Sequence, residues 1–332
     1  MGGQYFKNII PGAAGAGPPF PRNYNINPPH SQIVQANAEG YVFDTDTFAY
    51  IISPTANIAP GGSSIATIQI TDDATFQWEL STGSLVLDNS GAGTTSPLQF
   101  AFMTVQIMDG GPARNIFNIP VHWSNVVGIG QFPHILPIPK RFAPRSTIQI
   151  SFTNIDTART IQAASQLVLH GRKLFNVSPN FNSGFQSPPR FSTFTGPDGN
   201  IYGEDYFAYT LFVGALNAAT AIQLPILIDG DSDFEWIQTT SLAGNNSTTG
   251  QATNNVQLTV QVRDTMAQRD LYWAPIDLQA MSGTGQQPFI NPQPRIFAAK
   301  SQIAVTLNNF GADTLNNIFL TFEGRKIWQA ST

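Results

Sequence analysis

Polar and apolar residues alternate along several short segments of this chain. Residues 103–107 and 148–152 place apolar side chains at every second position, and residues 256–262 and 303–307 do the same further along. Alternation of this kind indicates β-strands that bury one face. No helical period extends beyond about two turns, and the 24 prolines and 28 glycines disfavour long helices. The pattern therefore predicts an all-β chain.

The alternating segments belong to two similar copies. Residues 103–142 align without a gap with residues 258–297, and fourteen of the forty positions are identical. Chance would give roughly two or three identities. The offset of 155 residues is much longer than the roughly 20–50 residues of a solenoid repeat. The sequence therefore predicts two tandem homologous domains.

Pro- and Gly-rich stretches divide the chain further. Short strands joined by long polar turns are typical of a jelly roll or another Greek-key sandwich, so we expect two jelly-roll-like β-sandwich domains. The predicted segments are an extended N-terminal arm at 1–40, a first repeat at 41–175, a Pro- and Asn-rich linker at 176–203 and a second repeat at 204–332.

Charged residues make up only 11% of the chain, against about 25% in a typical soluble domain. Such a surface suits a protein covered by neighbours, because charged residues are depleted at interface cores. An ordinary β protein with polar loops is the plainer alternative. The net charge of −5 and the five scattered lysines argue against binding phosphates of a nucleic acid. We therefore expect protein partners and no nucleic acid.

The residue types that carry most cofactor and metal chemistry are scarce. The chain has no cysteine, and the spacing of its four histidines does not suggest zinc. Three of those histidines have no counterpart in the other copy, since His122, His134 and His170 align with Asp277, Phe289 and Glu323. The chain also lacks a signal-peptide pattern and any apolar run of membrane-spanning length. We expect no cofactor, no membrane contact and no nucleophilic catalysis.

A short acidic run in the second repeat resembles the start of a calcium loop. It contains Asp229, Asp231 and Asp233, but the loop pattern requires glycine where Phe234 stands and glutamate where Thr240 stands. A surface turn that leads into a strand is the favoured interpretation, and a calcium ion between loops or subunits stays open.

Each repeat carries an aromatic pair on one strand face, Phe76 with Trp78 and Phe234 with Trp236. A stacking platform for sugars or bases is one interpretation. Core packing is the favoured one, because both copies have the pair at the same place.

Each repeat also closes on an Arg-Lys pair, Arg172 with Lys173 and Arg325 with Lys326. These cations either lie at a solvated strand end or contact a carboxylate of another subunit. Asp109 and Asp264 are examples of such carboxylates.

The repeated frame runs from an aspartate-led Phe-x-Trp strand through Thr-Val-Gln-x-x-Asp and Gly-x-Gly-Gln-x-Pro to Gly-Arg-Lys. It resembles the β-sandwich structural proteins that tailed bacteriophages and related viruses place in their particles. The resemblance implies a non-enzymatic, capsid-associated, fibre-anchoring, collar or neck protein of the virion. It also implies assembly in the host cytoplasm through contacts with other virion proteins or with further copies of the chain.

Two alternatives remain open. One is a major capsid protein with two jelly rolls per chain. The other is a tail protein that binds or cleaves carbohydrate, which predicts exposed aromatic rings and a carboxylate pair in one cleft. The candidate carboxylates for that cleft are Asp44, Asp46, Glu79 and Glu235.

Overall fold

The computed structural model describes residues 35–36, 42–89, 92–95, 103–156, 159–176, 192–196, 198–246 and 258–329. All of them lie in one compact unit. Most of the arm predicted at 1–40, and residues 177–191 of the predicted linker, fall outside the described residues.

The described residues of the first repeat form thirteen strands and one single-turn helix. In chain order these are β1 (Gln35–Ala36), β2 (Val42–Ile52), β3 (Ser63–Gln69), β4 (Thr75–Ser84), β5 (Val86–Asn89), β6 (Ala92–Thr95), β7 (Met103–Asp109), β8 (Arg114–Asn115), β9 (Val121–His122), α1 (Trp123–Val126), β10 (His134–Phe142), β11 (Thr147–Asn154), β12 (Thr160–Ile161) and β13 (Gln166–Asn176).

In the part of the second repeat that the structure describes, there are ten strands and a second single-turn helix. They are β14 (Ser192–Thr195), β15 (Ile201–Leu216), β16 (Thr220–Leu227), β17 (Asp233–Asn246), β18 (Leu258–Asp264), β19 (Arg269–Asp270), β20 (Ile276–Asp277), α2 (Leu278–Met281), β21 (Phe289–Phe297), β22 (Gln302–Asn309) and β23 (Leu315–Gln329). No helix in the described part of the chain is long and apolar enough to span a membrane.

The two repeats have the same sheet topology. In the first, a sheet of order β1-β2-β13-β4-β10 faces one of order β3-β11-β7-β8, and β9 pairs with β7. In the second, the orders are β14-β15-β23-β17-β21 and β16-β22-β18-β19, and β20 pairs with β18. The first repeat adds a small sheet of order β12-β5-β6. The predicted all-β fold of two tandem sandwiches is confirmed.

The edge strands β1 and β14 come from segments predicted as arm and linker. β1 pairs with β2, and β14 pairs with β15, whose first residue Ile201 also lies in the predicted linker. Both incoming segments thus supply an equivalent edge strand to their own repeat. The domain boundaries themselves stay predictions.

The glycine of each Gly-Arg-Lys motif lies beside a break in strand register, opposite the tryptophan of the aromatic pair. Gly171 pairs with Trp78, and Gly324 with Trp236. A Cβ atom on Gly171 would lie 1.8 Å from the carbonyl oxygen of Gln77, and one on Gly324 would lie 1.8 Å from that of Glu235. Only glycine allows the strands to approach this closely.

Candidate functional site

A set of buried contacts joins the two repeats. On the first repeat they lie along one open edge of the sandwich, on the segment from β8 to α1 and on β10. On the second repeat they lie on β15 and on the outer face of β23. We call these surfaces edge 1 and face 2. Edge 1 contains Phe117, Asn118, His122, Asn125, His134 and Lys140, and face 2 contains Asp205, Tyr206, Thr210, Phe319, Thr321 and Glu323.

His134 and Glu323 form the most enclosed part of this contact. Nε2 of His134 lies 3.1 Å from Oε2 of Glu323, and both side chains are fully buried. The same carboxylate accepts hydrogen bonds from the Tyr206 hydroxyl at 3.0 Å, from Nε2 of Gln238 at 3.1 Å and from the Thr240 hydroxyl at 3.0 Å. A buried carboxylate needs this many donors, because it has lost its hydration.

Burial and the nearby Glu323 raise the pKa of Tyr206 well above its usual value of 10.0. The tyrosine therefore stays a neutral hydrogen-bond donor to the carboxylate. Its ring packs edge-on against Trp78, with centroids 5.8 Å apart, and against Phe117 at 6.5 Å. Tyr206 thus joins the hydrophobic core of the first repeat although the second repeat supplies it.

A buried ionic group lies on β10. Nζ of Lys140 is 2.7 and 2.9 Å from the two carboxylate oxygens of Asp205 and 3.3 Å from Oδ2 of Asp109. All three residues are less than a tenth exposed. Removing one partner of such a group leaves a charge buried without compensation, which is strongly destabilising. Lys140 therefore ties the two repeats together.

Neutral groups complete the contact. Nδ2 of Asn118 donates to the carbonyl of Thr210 at 3.1 Å, and the Thr210 amide donates back to Oδ1 at 2.6 Å. Nδ2 of Asn125 donates to the Thr321 hydroxyl at 3.1 Å. The His122 ring lies 5.4 Å from the ring of Phe319. Direct hydrogen bonds of this number fix the relative orientation of the two sandwiches.

The repeated motif Gly-x-Gly-Gln-x-Pro also takes part in this contact. In the second repeat, the amide of Gly285 donates to the carbonyl of Ser124 at 2.7 Å, and its carbonyl lies 3.1 Å from Nδ1 of His134. A Cβ atom on Gly285 would lie 2.7 Å from the Ser124 oxygen. This glycine is therefore required for close approach to α1.

An exposed ion pair also links the repeats. Nη2 of Arg114 lies 2.8 Å from Oδ2 of Asp231. Burial alone would raise the pKa of Asp231, but the charges of Lys326 and Arg114 and a hydrogen bond from Ser232 lower it below its usual value. A pair exposed to solvent stabilises little, so this contact adds less than the buried ones.

The four predicted contact cations form ion pairs within their own repeats. Nε of Arg172 is 3.0 Å from Oε1 of Glu79, and Nζ of Lys173 is 2.9 Å from Oδ2 of Asp73. In the second repeat, Arg325 pairs with Glu204 and Glu235, and Lys326 pairs with Asp229 and Asp231.

The carboxylates suggested as partners for those cations also have contacts inside the chain. Asp109 contacts Lys140, and Asp264 lies 2.8 Å from Nη2 of Arg295. The intersubunit role of Arg172, Lys173, Arg325 and Lys326 stays a prediction.

The aromatic pairs lie inside the sandwiches. Phe76 and Phe234 are 0% exposed, Trp78 is 1% exposed and Trp236 is 2% exposed. Each indole N–H donates to a backbone carbonyl of its own strand, that of Leu80 at 3.0 Å or that of Gln238 at 3.1 Å. These rings are therefore not available to stack on a sugar or a base.

The acidic run of the second repeat is engaged by protein groups. Asp229 and Asp231 contact Lys326, and Oδ1 of Asp233 accepts a hydrogen bond from the Ala299 amide at 2.8 Å. Among the described residues, no group of three or more His, Asp and Glu side chains is placed to hold a metal ion.

Sequence reasoning missed the contact between the repeats. In the sequence, His134 and Glu323 stand out only as positions where the two copies differ. That difference was the available signal, because a residue buried between the repeats has different neighbours from its counterpart in the other copy.

A scan against protein-family models matched none, and a search of curated proteins gave no match. Several solved structures are similar. A crystal structure of the STIV MCP is 12% identical with a TM-score of 0.41, and the match covers 85% of this chain and 96% of that one. The PBCV-1 virus capsid is 11% identical with a TM-score of 0.36, and the match covers 85% and 94%.

The solved structure of an enzyme has a similar TM-score to this chain. A peptide-N(4)-(N-acetyl-β-D-glucosaminyl) asparagine amidase is 8% identical with a TM-score of 0.36, and the match covers 86% of this chain and 99% of that one. The function of the chain therefore has to be argued from its own residues.

Proposed function

We propose that this chain is a non-enzymatic structural protein of a virus particle, with two jelly-roll-like sandwiches per subunit. The observation that carries the proposal is the buried contact between edge 1 and face 2. It fixes two homologous sandwiches as a single rigid block, through buried contacts such as the ion pair of Lys140 with Asp205 and the close approach of His134 to Glu323. A block of this kind suits a building unit that tiles a surface.

The exterior of the block supports the same function. Large apolar side chains are exposed at Ile51, Leu227, Met266, Trp273 and Ile290, and Trp273 is 100% exposed. Together with the low content of charged residues, such side chains indicate surfaces that neighbours cover. The partners in this proposal are other copies of the chain and other virion proteins.

In this proposal the protein resides in the virion and assembles in the host cytoplasm. The motif resemblance favours a tailed bacteriophage or a related virus, and the two sandwiches per chain favour the major capsid protein among the possible shell components. The net charge of −5 supports contacts with protein rather than with nucleic acid.

The arrangement of aromatic and acidic residues disfavours the carbohydrate alternative. The repeated aromatic pairs provide no platform for sugar stacking, because Trp78 and Trp236 are buried. Glu79 and Glu235, two of the candidate acids, form ion pairs with Arg172 and Arg325. A glycosidase needs one free carboxylic acid as a proton donor.

The test combines imaging with a binding screen. We expect the purified full-length chain to form regular assemblies at high concentration under negative-stain electron microscopy, and to bind no sugar on a glycan array. Specific glycan binding or amidase activity by a chain that stays dispersed would contradict the proposal.

A further inference from the structure

Lys140 is enclosed between the repeats together with two carboxylates, one from each repeat. Its Nζ atom lies 2.9 Å from Oδ1 and 2.7 Å from Oδ2 of Asp205, and 3.3 Å from Oδ2 of Asp109. The side chains of Lys140, Asp205 and Asp109 are 3%, 9% and 1% exposed. An amine, a carboxyl carbon and a second carboxylate therefore share one site that is almost closed to solvent.

The lysine nitrogen lies close to the carboxyl carbon of Asp205. A nitrogen in contact with both oxygens is roughly 3 Å from the carbon between them, given ordinary carbon–oxygen bond lengths. Reacting atoms in a near-attack arrangement are about 3–3.5 Å apart, and such positioning acts like a very high concentration of the reactant. The geometry of this ion pair is therefore also suited to the formation of an amide.

The second carboxylate is oriented by its own backbone turn. The amide of Gly111 donates to Oδ1 of Asp109 at 3.1 Å, and Oδ2 of Asp109 faces the lysine nitrogen. A carboxylate oxygen in this position can accept a proton from the nitrogen and pass it to a departing oxygen. Asp109 is thus placed as a proton carrier.

The surroundings of the lysine are aromatic and nearly dry. Nζ of Lys140 lies 5.6 Å from the ring centroid of Phe142, and Phe142 and Tyr206 are 0% and 1% exposed. A cavity of about 10 Å³ borders Lys140 and Asp205, which is room for about one water molecule. Burying two charges is costly, so conversion of the pair into a neutral amide would remove this cost.

The ion pairs of two other lysines lack this enclosure. Lys173 and Lys326 contact aspartates whose side chains are between 47% and 53% exposed. Water solvates exposed carboxylates of this kind and weakens their interaction with the cation. Among the lysine ion pairs of the described residues, the one at Lys140 therefore has the most enclosed carboxylates.

The second repeat has the same acid with a different cation. Asp264 is the counterpart of Asp109, and it lies 2.8 Å from Nη2 of Arg295, the counterpart of Lys140. Arginine stays protonated in proteins, so its guanidinium does not attack a carboxyl carbon. The nucleophilic residue type stands in the repeat whose cation meets Asp205.

We propose that Lys140 and Asp205 condense to an isopeptide bond that joins the two repeats covalently, with Asp109 as the proton carrier. A proton first moves from the ammonium of Lys140 to the carboxylate of Asp205. The lone pair of Nζ then attacks Cγ of Asp205 and forms the new carbon–nitrogen bond.

The remaining steps release one water molecule. Asp109 takes a proton from the nitrogen and delivers it to the departing hydroxyl group of Asp205, and the carbon–oxygen bond breaks. One ammonium and one carboxylate thus become one neutral amide and one water, with no oxidant, reductant or co-reactant. The proposal does not depend on the proposed function, because every reacting group lies within one chain.

Mass spectrometry of the denatured full-length wild-type chain tests the bond. We expect a mass lower by one water than the mass of the sequence. Trypsin does not cleave after an acylated lysine, so we also expect peptide 115–141 joined to peptide 191–263. A wild-type chain of full mass would overturn the proposal, and so would a lower mass without the joined peptides.

The Lys140→Arg variant keeps the positive charge but removes the nucleophile. We expect this variant to have its full sequence mass and no joined peptides. The same joined peptides in Lys140→Arg protein would contradict the assignment of Lys140.

The role of Asp109 is tested by Asp109→Asn, with Asp264→Asn as the matched control in the second repeat. The fraction of chains that have lost one water is followed over time after synthesis in a cell-free system. We expect Asp109→Asn to slow the loss by at least about tenfold, because proton transfer by a positioned side chain contributes about 10²–10⁴-fold. Asp264→Asn should leave the rate unchanged.

Unfolding midpoints of the two variants show whether each is folded. Equal slowing by Asp109→Asn and Asp264→Asn would mean that Asp109 acts only through the stability of the fold. A folded Asp109→Asn protein that loses water as fast as the wild type would likewise overturn its role as proton carrier.

Discussion

His134 and Glu323 meet in the buried contact between the two repeats, with Nε2 and Oε2 3.1 Å apart and both side chains fully buried. The hydrogen-bond donors to the carboxylate come from two strands of the second repeat, β15 and β17, whereas the imidazole beside it comes from the first repeat. The two side chains can therefore be in contact only when the two repeats are packed together.

We predict that Glu323→Ala lowers the free energy of unfolding by about 3–5 kcal/mol, because it leaves the buried donors of Tyr206, Gln238 and Thr240 without their acceptor. Chemical denaturation followed by tryptophan fluorescence measures this loss.

A double-mutant cycle separates the pair from its surroundings. The variant His134→Phe, Glu323→His installs the residues found at the counterpart positions of the other repeat, Phe289 and His170. We expect it to be more stable than the sum of the two single changes by about 1 kcal/mol or more, since residues in contact are not additive. Additive effects would mean that the two side chains do not interact.

Alkaline pH is expected to loosen the same contact. The folded chain raises the pKa of Tyr206 above its usual value of 10.0, so folding favours the protonated phenol. That contribution to stability is complete below pH 10 and is lost as the pH rises beyond it. Unfolding midpoints between pH 8 and pH 11.5 should fall more steeply for the wild type than for Tyr206→Phe.

Lowering the pH is expected to remove a smaller contribution to the stability of the fold. The folded chain lowers the pKa of Asp231 below 3.8, so folding favours the carboxylate. Its contribution is complete above pH 3.8 and is lost as the pH falls below that value. In the Asp231→Asn variant, the free energy of unfolding should fall less between pH 4 and pH 2 than in the wild type. An equal fall in the two proteins would show that the ionised Asp231 side chain adds no stability.

A buried and an exposed tryptophan, Trp236 and Trp273, allow a matched comparison of two substitutions. Trp236→Ala removes a side chain that is 2% exposed, and we expect a loss of about 3–5 kcal/mol in the free energy of unfolding. Trp273→Ala removes a fully exposed side chain, and we expect a change within about 0.5 kcal/mol together with weaker self-association. Loss of sugar binding in a folded Trp236→Ala protein would instead favour the carbohydrate alternative.

The sequence was enough to predict the strands and the duplication. Strict alternation over residues 148–152 appears in β11 with Ile148, Ile150 and Phe152 all fully buried. The alternation of apolar and polar residues indicates which side chains are buried within one sandwich, because each strand has one face toward the core. The motifs that are identical in the two copies also predicted which strands are equivalent.

The contact between the repeats could not be predicted from the alternation of apolar and polar residues. Thr321 and Val168 occupy equivalent strand positions, and only the first is covered, because the partner surface comes from a distant part of the chain. The role of the cations at 172–173 and 325–326 was equally hidden, since their carboxylate partners depend on strand register. Differences between the copies, rather than identities, mark such positions.

Light scattering on the wild-type chain across a concentration series tests the central claim most directly. One chain has a mass of 36.0 kDa. We predict that the measured mass rises with concentration to a multiple of that value, because large apolar side chains such as Ile51 and Trp273 are exposed on every copy. A stable mass of one chain at every concentration would contradict a self-associating structural role.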